Sequence, residues 1–392
     1  MKKDSQKIKI LYLHAGAELY GADKILLEIL NNIDKNVFEP IVLLPNDGIL
    51  REEIEKNGIE VHILNYPILR RKYFTPRGII KYMYEYFKYG SQISKFVAKQ
   101  DIDLVHVNTT AVLEGAYIKL RNRIPVVWHV HEIIISPKVI FKFISLMVRW
   151  FSDTVITVSA ATKNRLVESK LVNPDEIKVI YNGISTTNII SESKNKNADQ
   201  VKKDLEIPEN ALIVGMIGRV NAWKGQADFL KAMEIVLAKD PNFHAILVGS
   251  VFSGEEFRME KLKSIVQSSP FKSQIHLVEF TKDVASFYAT FDIFVLPSIN
   301  PDPLPTVVLE AMANSLPIVG YNHGGVVEMV DNTSGILVAP RDTDILAKEI
   351  LSLLENESLR NKLGAGAQKR QHDFFNLDTF VTNIEKIYSE LV

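Results

Sequence analysis

Short apolar runs rich in Val, Ile and Leu recur along the chain, separated by stretches whose apolar positions repeat at helical spacing. In the first half the runs fall at 7–14, 38–45, 60–65, 104–109, 126–131, 154–160 and 178–183. In the second half they fall at 212–218, 243–250, 275–280, 293–298, 317–322 and 335–340. Runs that are apolar at consecutive positions predict strands buried on both faces, as in parallel sheets. Helical spacing is clearest over 22–33, 160–169, 225–239 and 306–314, and a terminal amphipathic helix is expected over 373–392. Alternating β and α elements predict an α/β fold of open, doubly wound parallel sheets. The segment 184–211 is rich in Ser, Asn and Lys, has almost no apolar run, and reads as a linker or exposed excursion. Two domains are therefore expected, 1–184 and 185–372, followed by the helix over 373–392.

Composition narrows the class. A chain of 392 residues suits two large α/β domains, and 46% hydrophobic with 24% charged residues suits a folded globular protein. Cysteine is absent, which excludes disulfides, a thiol nucleophile and Cys-ligated metal. No stretch of about 18 uncharged apolar residues exists, so no membrane-spanning helix is expected. The opening KIKILYLHAG reads as a first core strand rather than a signal peptide, and a cytoplasmic location is the expectation. Net charge is −1, with no global drive toward nucleic acid. That balance hides an asymmetry: residues 1–180 hold 26 Lys+Arg against 20 Asp+Glu, and residues 181–392 hold 20 against 27.

In open α/β sheets ligands bind beyond the carboxyl ends of the strands, so residues there carry the candidate chemistry. Gly218-Arg219-Val220-Asn221-Ala222-Trp223-Lys224-Gly225 follows one strand and opens a helix. Arg219 and Lys224 suit a diphosphate clamp, and equally suit a loop with two solvated cations. Pro301 to Ala313 follows another strand, with a helix expected from Thr306. Thr306, Val307 and Val308 would offer free N–H groups at its start, suited to a phosphate or a sugar hydroxyl. Glu310 lies one turn inside among apolar neighbours, and a ribose diol or a basic side chain would satisfy it. Asp302 suits a substrate hydroxyl or a turn. In Val126-Val127-Trp128-His129-Val130-His131-Glu132 the alternation puts His129 and His131 on one strand face, and His131 at the strand end serves as catalyst or as structural hydrogen-bonding residue. The loop His14 to Asp23 carries Gly16 and Gly21 but lacks the full dinucleotide fingerprint. The pairs Asp101/Asp103 and Asp342/Asp344 match a D-x-D spacing but read as structural, so no metal is expected.

Basic and aromatic residues interleave in two stretches. Residues 69–99 hold eight Lys/Arg and one acid, Glu85, among eight aromatics. Residues 136–150 add Lys138, Lys142 and Arg149 with no acid. Such a mixture fits an anionic membrane surface, with core helices bearing solvated basic faces as the plainer alternative. No nucleic-acid motif accompanies it, so no nucleic-acid partner is expected.

Taken together, YGADKILLEIL, VVWHVHE, VIYNG, IGRVNAWKG, FTKDV with FDIFVLPS, PDPLPTVVLEAMANSLPIVG and GGVVEMVDNTSGILV cover nearly the whole chain. The chain resembles the family 4 retaining glycosyltransferases, whose GT-B fold sets two Rossmann-like domains facing across a cleft. The resemblance implies that the family's E-x7-E motif falls on Asp302 and Glu310, the first beside the transferred sugar and the second on the nucleotide ribose. Asp in place of Glu at 302 and Pro305 in place of a frequent glycine depart from the pattern. It further implies Arg219 and Lys224 on the diphosphate, Gly21 beside the phosphates, His131 near the reacting sugar, and Phe280 and Thr281 at the base. The terminal helix would pack back on the N-terminal domain.

The expected function is a retaining, metal-independent transfer of a sugar from a nucleotide-diphosphate donor, UDP-sugar before GDP-sugar. The acceptor would be a glycan on a polyprenyl diphosphate carrier, in cell-surface polysaccharide synthesis. No cofactor is implied. The expected location is peripheral, at the inner face of the cell membrane. The rival readings are a nucleotide-sugar epimerase of similar fold and a non-catalytic nucleotide-sugar-binding protein.

Overall fold

A computed structural model describes residues 7–185, 198–252, 254–279, 281 and 283–392. It divides into two units, Met1–Gly183 with Leu377–Val392, and Ile184–Asn376.

The first unit holds seven strands: β1 (Ile8–Leu13), β2 (Phe38–Leu44), β3 (Glu60–Ile63), β4 (Leu104–Val107), β5 (Val126–Val130), β6 (Thr154–Thr157) and β7 (Ile177–Val179). All neighbours pair in parallel, in the order β3-β2-β1-β4-β5-β6-β7. The strand order reverses direction between β1 and β4, which is the switch point of a doubly wound sheet. Ile10 to Leu13 and all of β4 and β5 are buried because helices cover both faces. Leu11, Leu13, Val105, Val107, Trp128 and Val130 pack on one face. The opposite face is different: Tyr12 and His106 stand in register across β1 and β4, and Tyr12 meets Tyr388 of the helix Leu377–Leu391 edge-on.

The second unit holds β8 (Leu212–Ile217), β9 (Phe243–Val248), β10 (Ile275–Val278), β11 (Ile293–Leu296), β12 (Ile318–Tyr321) and β13 (Gly335–Val338). They form a second parallel sheet, β10-β9-β8-β11-β12-β13, with its switch point between β8 and β11. All thirteen apolar runs of the sequence are strands, each ending within a few residues of its expected limits.

Two segments differ from the expectation. The excursion 184–211 contains a helix, Ala198–Asp204, anchored by Val201, and Ile207 is buried beyond it; isolated apolar residues suffice to dock so short an element. Residues 186–197 lie outside the described residues. The chain's end is two helices, Glu357–Phe374 and Leu377–Leu391, separated at Asn376, which pairs with Ile184. The second of them packs within the first unit.

Candidate active site

In the second unit the two loops at the switch point are built against one another. After β8 the chain runs through Gly218, whose N–H donates to Val248 O at 3.0 Å, into the loop that begins at Arg219. Asn221 Oδ1 accepts from the N–H groups of Trp223 and Lys224 at 3.0 and 2.9 Å, folding the loop tightly. Gly225 then opens the helix Gln226–Leu237 at φ 81°, and a Cβ there would lie 1.8 Å from Pro297 O. Only glycine permits that approach. Beyond β11 the Ile299 N–H donates to Trp223 O at 2.6 Å, which ties the second loop to the first.

This scaffold brings Lys224 and Asp302 together, 78 residues apart in sequence. Lys224 Nζ donates to Asp302 Oδ1 at 2.8 Å, both side chains being largely buried. The Ser298 hydroxyl donates to Asp302 Oδ2. The Asp302 carbonyl accepts from Gly325 N–H at 2.7 Å, and Gly324, at φ 66°, brings its backbone against the same residue. Asp302 is thus a held carboxylate rather than a simple turn residue. The Arg219 guanidinium lies 3.4 Å from the ring centroid of Phe252 and its carbonyl accepts from Gln226 Nε2 at 2.9 Å. The stack fixes the plane of the fork.

The helix Thr306–Ala313 begins where the sequence places it, with Pro305 as its cap and no side-chain cap bond. The Val308 N–H donates to Pro305 O at 3.0 Å, so of the three expected N–H groups this one is already used. Those of Thr306 and Val307 precede the first position at which a helix can bond its own N–H. Glu310 is 6% exposed, and its Oε2 accepts from the Tyr288 hydroxyl at 2.9 Å. Burial, with the Glu310 charge beside it, holds the Tyr288 hydroxyl far above the ordinary phenol range, so it stays a donor. Thr281 Oγ1 accepts from Asp283 N–H at 3.0 Å near the start of the helix Val284–Thr290, and Phe280 lies outside the described residues.

In the first unit Gly21 opens the helix Gly21–Asn32 behind β1. His131, half-buried just past β5, has Nε2 3.2 Å from Asn108 Oδ1 at the end of β4. Glu132 beside it accepts from Thr110 N–H at 3.1 Å, from the Thr110 hydroxyl at 3.0 Å and from the Thr109 hydroxyl, clamping the end of β5 to the loop after β4. The acid pairs behave structurally. Asp103 accepts from Lys9 N–H at 2.9 Å before β4, and Asp342 caps the helix Thr343–Leu354 through Ile345 N–H at 3.0 Å. Among the described residues no group of three His, Asp or Glu is placed to hold a metal ion.

Sequence reading missed Asn108, Ser298, Phe252 and Tyr288. Each is an ordinary residue type that becomes a partner only when separate elements meet. The strand-end histidines His14, His106 and His131 were the visible signal for the first.

The basic, aromatic stretches form two helices. Pro76–Lys99 buries Tyr82, Gly90, Ile93 and Val97, and exposes Ile79, Ile80, Met83, Tyr84 and Phe87. Lys138–Phe151 exposes Val139, Phe143 and Trp150, with Val139 77% exposed. Arg70, Arg71, Lys72, Arg77, Lys81 and Lys88 are exposed around the first. Among the described residues no helix is long and apolar enough to cross a membrane.

Residues 20–188 match the family model described as Glycosyltransferase Family 4, and residues 197–370 the model described as Glycosyl transferases group 1. The chain is 24% identical over 404 residues to the UDP-Gal:alpha-D-GlcNAc-diphosphoundecaprenol alpha-1,3-galactosyltransferase of Escherichia coli, covering 100% of this chain and 99% of that one. It is 23% identical over 236 residues to the capsular polysaccharide biosynthesis glycosyltransferase CapM of Staphylococcus aureus, covering 60% of this chain and 61% of the relative. That match spans about three fifths of the relative's length. Among solved structures, the Anabaena protein HepE in complex with UDP and glucose superposes with a TM-score of 0.83 at 24% identity, covering 98% of this chain and 100% of that one.

Proposed function

The chain belongs to the family 4-like glycosyltransferases of GT-B fold, and we propose that it acts on nucleotide sugars, transferring a sugar from a UDP-sugar to a lipid-linked glycan with retention of anomeric configuration. The observation that carries the reading is the cationic cluster at the β8/β11 switch point: Arg219 fixed on Phe252, Lys224 held at 2.8 Å from Asp302, and the first N–H groups of the helix Thr306–Ala313. Such a cluster suits a diphosphate leaving group, whose negative charge grows as its bond to the sugar breaks. Glu310, oriented by Tyr288, suits a ribose diol, and Asp302, with its oxygens on Lys224 and Ser298, suits a sugar hydroxyl through its remaining lone pairs.

The reaction balances without a resident cofactor. The bond from C1 to the phosphate oxygen breaks, the acceptor hydroxyl oxygen forms the new bond on the same face, and its proton passes to the departing phosphate oxygen. Both carboxylate oxygens of Asp302 are engaged, which argues against Asp302 as the nucleophile of a double displacement. The charge of Arg219 and Lys224 takes the role a divalent ion would otherwise fill, so chelator leaves the rate unchanged in this scheme.

UDP is preferred because the Escherichia coli relative and the Anabaena structure carry it in their names. A polyprenyl-linked acceptor is preferred because the name of the same relative carries one, and the exposed apolar residues ringed by cations on Pro76–Lys99 support the reading of a peripheral location at the inner membrane face. The test is donor consumption measured with and without a lipid-linked glycan acceptor, after a thermal-shift comparison of UDP-, GDP- and ADP-sugars. Acceptor-dependent release of UDP is expected. Conversion of the donor to its epimer without acceptor, or binding with no conversion, overturns the reading.

A further inference from the structure

At the carboxyl end of the first unit's sheet, polar side chains stack on one face with period two. They are Tyr12 and His14 from β1, His106 and Asn108 from β4, and His129 and His131 from β5, because Tyr12 stands opposite His106 and Val107 opposite Trp128. Asn108 lies at the middle of the group. Its Nδ2 is 3.1 Å from His14 Nδ1 and 3.4 Å from Ala22 O, and its Oδ1 is 3.3 Å from His106 Nε2 and 3.2 Å from His131 Nε2.

We propose that Asn108 is a positioning residue that locks His131 as its Nε2–H tautomer, so that the ring presents a bare Nδ1 as hydrogen-bond acceptor to a substrate hydroxyl.

The assignment follows from donor and acceptor counting. The Ala22 carbonyl only accepts, so the amide nitrogen of Asn108 must face it, and the amide oxygen must face the two imidazoles. That oxygen only accepts, so His106 and His131 each carry a hydrogen on Nε2. A neutral imidazole has one N–H, which leaves a lone pair on Nδ1 of both rings. The assignment is compatible with the other side of His106: its bare Nδ1 lies 2.8 Å from the Tyr388 hydroxyl, which can then donate to it. On the other branch Asn108 donates to His14 Nδ1, and His14 Nε2–H points at Asp23 Oδ1 at 2.5 Å. For His131 the Nδ1 has no hydrogen-bond partner among the described residues.

Both rings also stay neutral. Burial pushes His106 down to about 3, with His14 adding to it, and pushes His131 down to about 3, with His106 and His14 adding and Asp23 opposing. His129, its ring centroid 4.0 Å from that of His131 and its two nitrogens buried without partners among the described residues, is held well below the usual range by burial and by His131 and His106. A ring so reluctant to take a proton is a weak base. In this geometry the bare Nδ1 of His131 is placed to orient a hydroxyl. The substrate half of the proposal rests on the glycosyltransferase reading, and the tautomer half does not.

The test is 15N NMR of the full chain labelled at histidine, in which protonated and bare ring nitrogens resonate far apart, with His131 assigned by its loss in His131→Gln. Wild type is expected to show His131 with Nε2–H and no titration between about pH 5 and about pH 9. Asn108→Leu is expected to give mixed tautomers and to lower kcat roughly 10–100-fold, as loss of an outer hydrogen-bond partner does, with KM for the donor little changed. Asn108→Asp keeps the accepting oxygen but gives up the donor to His14 and Ala22, so it is expected to hold the His131 Nε2–H while keeping only part of kcat, and an Nδ1–H tautomer in it overturns the proposal. An Nδ1–H tautomer in wild type, titration of the ring within that range, or an unaltered tautomer in folded Asn108→Leu overturns the proposal. If Asn108→Leu does not fold, the wild-type and Asn108→Asp spectra decide. The expected tautomer in a chain that consumes no donor with any acceptor overturns the glycosyltransferase reading and the substrate half, while the lock itself stands.

Discussion

Lys224 shows how one side chain serves stability and chemistry at once. It neutralises the buried carboxylate of Asp302 and stands in the cluster proposed for the diphosphate. Lys224→Ala is therefore expected to lower thermal stability by about 3 kcal/mol, because it strands a buried charge, and to slow turnover as well. Arg219→Ala removes the cation stacked on Phe252, so turnover should fall by a transition-state cost of about 2–4 kcal/mol. Unchanged turnover in both would remove the clamp. Glu114 is the other residue whose surroundings set its behaviour. It is fully buried, neither carboxyl oxygen has a hydrogen-bond partner of good geometry among the described residues, and burial raises it from 4.5 to about 8. The folded state thus holds a proton that the unfolded state releases. Its contribution is complete below pH 4.5 and is lost as pH rises through about 8. Glu114→Gln is expected to flatten the fall in stability over that window by an amount on the order of a few kcal/mol, read from denaturant midpoints at several pH values. A pH dependence identical to wild type would contradict the buried, protonated state.

At the scale of an element, the helix Pro76–Lys99 departs from the rule that one face is apolar and the other polar. Its inner face is apolar, as a core helix requires, yet Ile80 is 71% and Tyr84 68% exposed on the outside. Lys and Arg flank those residues, so an anionic bilayer would cover the apolar side chains and meet the charges. Replacing Arg70, Arg71, Lys72 and Lys81 by Gln is expected to weaken binding to anionic vesicles and to flatten its salt dependence. Equal binding at every salt concentration would dismiss the surface. A core helix with a solvated basic face was one of the two readings of this stretch in the sequence. Which of its apolar residues face outward was not, because that depends on where the sheet and the helix Glu114–Asn122 lie.

At the scale of the whole molecule, the chain's last helix belongs to the unit in which the chain begins. Leu377, Phe380, Val381, Ile384, Ile387 and Tyr388 are buried there, and Tyr388 satisfies His106. At roughly 1.5–3 kcal/mol for each large apolar side chain, removing the helix forfeits as much as the usual net stability of a domain. A chain ending at Asn376 is expected to lose cooperative unfolding of the first unit, followed by limited proteolysis, while the second unit stays resistant. Equal resistance of both units would show that the helix is dispensable.

The thirteen strands, their parallel pairing and the two-sheet plan were determined by the sequence itself, because a strand covered on both faces needs consecutive apolar residues and leaves that run in plain view. The glycine at 225, the cations at 219 and 224 and the acids at 302 and 310 were legible for a related reason, since they sit in the loops directly after such runs or, for Glu310, in the helix that follows one. Tertiary structure alone decided the partners. Ser298 and Lys224 meet on Asp302, Phe252 lies under Arg219, and Tyr388 reaches His106 from 282 residues away. The order in which strands lie side by side is not written in any one of them, and hydrogen bonds form between neighbours in space. Asn108 is an unremarked residue in the sequence until β1, β4 and β5 become adjacent and three imidazoles gather around its amide.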